Sequence, residues 1–216
     1  MDQSYVLSML NDVRFHEQVL RCTGYPEYND FESAFIVFRD GAFSEVITGD
    51  RYKVTYPPPD RVPSPLIVTQ FHTRYAPTGA EPSQGDFVTS FAWSTLEWKQ
   101  GRLPYWGILE CDRKTGKPAM LTYSLRPLFE KYAAFFRDFE LKEKLTLQPD
   151  VDRFHQGFPQ KDTLTHIVFD ELLVKCGCYQ SRPLTDMLAI DRLDRMHAKL
   201  AAVDTLEVLP IVRFDL

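Results

Sequence analysis

The run Leu66-Ile67-Val68-Thr69-Gln70-Phe71 constrains the fold more than any other stretch of the chain. It is apolar and β-branched, the pattern of a buried central strand, and His72 ends it. Pro77, Gly79 and Pro82 then mark a loop, and residues 84–100 read as a helix with Phe87, Phe91 and Trp98 on one side and Gly101 as its stop. A strand, a loop and a helix of this kind build a layered α and β core.

The rest of the first 125 residues fits around that unit. Residues 3–21 carry Val6, Met9, Leu10, Val13 and Leu20 at helical spacing, with Asp2 or Ser4 as cap and Gly24-Tyr25-Pro26 as breaker. Short strands follow over 31–38, 42–48 and 52–56, the first two joined through the hairpin signal Asp40-Gly41. A second hairpin pairs 105–111 with 119–125. Beyond Arg126 the pattern turns helical, over 128–147, 162–174 and 184–203, with a final strand at 209–214. The expected organisation is an α+β domain over 1–125, a mixed sheet flanked by helices, and a mostly helical extension over 126–216 that packs on it. Tyr132 to Phe139 is its docking face.

Composition narrows the function classes. A chain of 216 residues with 44% hydrophobic and 25% charged residues supports a sizeable core. The 16 Phe and 10 Tyr favour a sheet-rich one. A net charge of -5 with no dense Lys/Arg run argues against nucleic acid as a partner. No apolar stretch is long enough for a membrane span, and Asp2, Asn11, Asp12, Arg14 and Glu17 interrupt the N-terminal segment, so a cytoplasmic protein is expected, a specialised secretion route being the exception. Cys22, Cys111, Cys176 and Cys178 fit reduced thiols, Cys111 a buried one, and Cys176-Gly177-Cys178 is too tight for a zinc ribbon pair. A Cys/His hydrolase built on Cys176 or Cys178 with His166 lacks a visible third residue.

Two motifs carry chemistry: Phe71-His72-Thr73-Arg74, and Pro82-Ser83-Gln84-Gly85-Asp86. Taken singly, each has a plain reading. His72 is a histidine closing a strand, and Ser83 with Asp86 is a common helix N-terminus. Together, flanked by helix, hairpin, apolar strand and helix in that order, residues 3–125 resemble the JAMM/MPN family of zinc metallopeptidases and isopeptidases. The Glu-strand, Asp-Gly, strand order before His72-Thr73 also resembles JAMM-like domains at the ends of bacterial polymorphic toxins. The resemblance implies a site of His-x-His, Ser-x-x-Asp and a glutamate, in which zinc activates a water. Carried onto this chain, it makes His72 and Asp86 metal ligands, Ser83 the oxyanion donor and Glu32 the general base, with Glu45 as second choice.

The departure is Arg74, which stands where the second histidine ligand belongs. A guanidinium has no lone pair for a metal and stays protonated. The expectation is therefore a metal-poor, inactive relative that binds a peptide or protein, with Arg74 bridging Asp86 or Glu32 in place of zinc. The alternative is an active zinc metallopeptidase in which Arg74 points outward and a residue such as His155 or His166 completes the site.

Overall fold

The computed structural model describes residues 3–58, 61–73, 84–112, 115–134 and 192–216. The N-terminal helical pattern divides in two, α1 (Gln3–Leu10) and α2 (Val13–Thr23). Asp12 causes the division: its extended backbone leaves the helix and its carboxylate accepts the Arg14 N–H at 2.8 Å, capping α2. Gly24, in the left-handed region at φ 70°, returns its N–H to the Leu20 carbonyl at 2.8 Å and ends α2.

Among the described residues a seven-stranded mixed sheet follows: β1 (Ser33–Phe38), β2 (Ile47–Thr48), β3 (Pro65–Phe71), β4 (Tyr105–Cys111), β5 (Pro118–Ser124), β6 (Glu207–Val208) and β7 (Val212–Arg213). The order is β2-β1-β3-β4-β5-β6, with β7 also pairing β5. β3 lies inside the sheet, antiparallel to β1 and parallel to β4. Two parallel neighbours need a crossover, which α3 (Gln84–Trp98) supplies. The strand expected over 52–56 is instead a turn and a loop. Its cause is Asp50, whose carboxylate accepts the N–H of both Tyr52 and Lys53 and curls the chain.

Side chains alternate across the sheet into two cores. Ala34, Ile36, Val68, Trp106, Ile108, Leu121 and Tyr123 face Phe87 and Phe91 of α3 and Leu128 and Phe129 of α4 (Arg126–Lys131). On the other face Phe35, Val37, Ile67, Leu109 and Met120 meet Val6, Leu10, Phe15 and Val19 of α1 and α2. The chain's end belongs to the same structure. Leu193, Met196 and Leu200 of α5 (Arg192–Ala201) complete the first core, and β6 and β7 extend the sheet beyond β5. The described part of 126–216 thus packs on the core, as expected of the extension; of the strand expected at 209–214, β7 (Val212–Arg213) forms, and β6 lies just before it. Arg213 bridges Asp112 at 2.8 Å and Asp194 at 3.0 Å, tying β7 to the end of β4 and to α5. The helix expected over 162–174, and all of 135–191, lie outside the described residues. No helix among the described residues is long and apolar enough to cross a membrane.

Candidate functional site

Topology brings three of the predicted site residues to one end of the sheet. His72 follows the last residue of β3, and its N–H is held by the Leu109 carbonyl of β4 at 2.9 Å. A helix that must carry the chain back to the start of β4 begins where β3 ends, which puts Asp86, in the first turn of α3, beside His72. β1 runs the other way, and its register pairs Ser33 with Phe71, so the residue before β1, Glu32, arrives at the same end.

The contacts are close. His72 Nε2 lies 3.4 Å from Asp86 Oδ2, an ion pair whenever the imidazole is protonated, with the two side chains 3% and 11% exposed. Glu32 is 2% exposed. Its backbone is locked on both sides, N–H to the Asp50 carbonyl and carbonyl to the Gly49 N–H, each at 2.7 Å. Its carboxylate accepts from Gln70 Nε2 at 3.0 Å. Burial pushes the Glu32 carboxyl up to about 7; His72 and the Gln70 bond oppose that rise, while Asp86 and Asp50 add to it. A buried acid raised toward neutrality near a histidine and a second acid marks this end of the sheet as the candidate site.

Glu32, and not Glu45, is the glutamate whose carboxyl feels the charges of the pair. Glu45 is exposed on the segment leading into β2. Ser83, Arg74, His155, His166, Cys176 and Cys178 lie outside the described residues. Cys22 and Cys111 are free thiols, Cys22 buried and Cys111 only half-buried at the end of β4 rather than in the core. His197 contacts the Leu209 carbonyl at 3.0 Å, a packing role. Sequence reasoning passed over Gln70 and Tyr56, which sit at the back of the site. The Tyr56 hydroxyl is 3.0 Å from the Thr69 carbonyl and 3.3 Å from Gln70 Oε1. The signal that could have found Gln70 is its place in β3: it is the one residue with a side-chain amide in an otherwise apolar and β-branched strand, two before His72.

The donor set decides how well zinc fits. Zinc held at about 2.0–2.2 Å by nitrogen and oxygen in a tetrahedron sets neighbouring ligands roughly 3.3–3.4 Å apart. The His72–Asp86 separation of 3.4 Å matches one such edge. A catalytic zinc needs three protein ligands, however, and among the described residues no group of three His, Cys, Asp or Glu is arranged to hold a metal. With arginine at position 74, the motif itself supplies two. Among the described residues, then, the set offers a zinc ion two donors, His72 and Asp86.

No family model matches the chain, and neither curated proteins nor solved structures yield a match.

Proposed function

We propose that the chain is a JAMM-like domain with a degenerate metal site, and that the site around Glu32, His72 and Asp86 binds a peptide or protein segment rather than hydrolysing it. The observation that carries this reading is a buried Glu32 near a His72–Asp86 pair that, among the described residues, offers two zinc donors in place of three. Such a set suits a polypeptide. Asp86 accepts hydrogen bonds, and a Glu32 carboxyl balanced near pH 7 both donates and accepts, matching the N–H and C=O of a peptide unit.

A second reading, an active zinc metallopeptidase with Glu32 as base, draws support from the 3.4 Å donor spacing and from the Glu32 carboxyl near 7. Elemental analysis of protein purified without chelator separates the two. The proposal expects no stoichiometric zinc in the native chain and about one per chain in Arg74→His. About one zinc per native chain, lost in His72→Ala or Asp86→Asn, overturns it in favour of the enzyme. An Arg74→His variant that also binds none removes the JAMM-like reading of the loop.

A further inference from the structure

We infer that Gln70 and Tyr56 are positioning residues of this site: the Tyr56 hydroxyl holds the far end of the Gln70 amide, and Gln70 in turn fixes the Glu32 carboxylate. The inference rests on the reading of Glu32 as the working group of the site.

A glutamine amide is a donor at one end and an acceptor at the other, and its partners decide which way round it sits. An ionised carboxylate only accepts, so Glu32 requires the amide N–H, here at 3.0 Å. That leaves Gln70 Oε1 pointing at a group that must donate, and the Tyr56 hydroxyl lies 3.3 Å away. Its single proton is shared with the Thr69 carbonyl at 3.0 Å, so both acceptors on this tyrosine belong to β3. The reversed amide would set its carbonyl against the Glu32 carboxylate, acceptor facing acceptor, so Glu32 fixes the direction of the amide and Tyr56 holds its other end.

The hydroxyl is itself held in place. The Tyr56 ring is 7% exposed and makes edge-to-face contacts with Trp93 at 5.8 Å and Trp106 at 6.2 Å between centroids. Those two indoles pack edge-on to one another at 5.8 Å, which closes an aromatic triangle beneath the site. The chain of constraint therefore runs from the first core, through Tyr56 and Gln70, to one oxygen of Glu32, and it leaves the other oxygen out of that bond.

The test reads the Gln70 side-chain amide by NMR in the full chain at about pH 8, where Glu32 is ionised. In the native chain one amide proton is shifted downfield and exchanges slowly. Tyr56→Phe keeps the ring and its packing, yet is expected to speed that exchange about tenfold, equivalent to about 1.4 kcal/mol. Tyr105→Phe removes a buried hydroxyl at the far end of the sheet, bonded to Glu207 at 2.8 Å, and is expected to leave the Gln70 signal alone. Equal acceleration by both variants means general loosening and overturns the inference. So does a Tyr56→Phe variant whose Gln70 amide is indistinguishable from the native one. A second measurement stands independently of that variant's stability. Gln70→Leu is expected to move the carboxyl carbon resonance of Glu32, and adding Tyr56→Phe to it is expected to move that resonance no further; a further movement shows that Tyr56 acts by another route. Neither readout involves metal, so a zinc result that removes the JAMM-like reading leaves this one standing or falling by itself.

Discussion

Replacing Glu32 by glutamine changes how stability depends on pH, and the size of the effect follows from the burial of one carboxyl. Glu32 titrates near 7 in the fold against an ordinary value of 4.5. Below pH 4.5 the acid is protonated in both states and contributes nothing. As pH rises from 4.5 to 7 the unfolded chain releases the proton while the fold retains it, so stability falls. Above the folded value the cost is complete. At about 1.36 kcal/mol for each pH unit separating the two values, it reaches roughly 3 kcal/mol. Glu32→Gln keeps the shape and an acceptor oxygen for Gln70 but has no charge to desolvate. Urea unfolding of both proteins at about pH 4.5 and pH 8 is the assay. The variant should match the native chain at the lower pH and exceed it by about 3 kcal/mol at the higher, or about 6–12 °C in Tm for a chain of this length. A gap of the same size at both pH values would falsify the argument, because it would mean that burial of the charge is not what distinguishes the two residues. A native chain more stable at pH 8 would mean that a fixed cation satisfies Glu32.

Other expectations test the frame around the site. Gly49→Ala should cost about 2–3 kcal/mol or more in chemical denaturation, because a Cβ there would lie 2.0 Å from the Lys53 carbonyl oxygen and 2.7 Å from Val54 Cα. The turn would have to open, and with it the backbone bonds that hold Glu32. Cys22, buried and pushed up to about 12 by that burial, should resist iodoacetamide in the folded protein at about pH 8, while half-buried Cys111 is alkylated. Mass mapping of the labelled peptides reads this directly, and equal rates at the two thiols would contradict the buried position of α2 against β1.

The parts of the fold that were legible are those where one signal dominates. Leu66 to Phe71 is apolar enough to sit inside a sheet, and it does. Phe87 and Phe91 mark the buried side of α3, and Gly101 follows its end at φ 69°. The break between α1 and α2 was hidden because apolar residues continue at helical spacing on both sides of Asp12, so a cap looked like an exposed helix position. The segment 52–56 looked like a strand because its residues favour one, yet the side chain of Asp50 competes for their backbone and wins. In the site, His72, Asp86 and Glu32 were readable from motif and order. Their convergence depends on a strand register and a crossover that no local pattern records. Gln70 left one faint signal, an amide in an otherwise apolar strand, and Tyr56 left none, because neither residue type signals chemistry until its neighbours are known.

The most direct measurement of whether these three groups share one pocket is the carboxyl carbon titration of Glu32 by NMR, in the native chain and in Asp86→Asn and His72→Gln. With the groups near enough to feel one another, the native midpoint lies near 7; it falls when the neighbouring acid is neutralised and rises when the imidazole is removed. A midpoint at the ordinary value of 4.5, indifferent to both substitutions, would contradict the account.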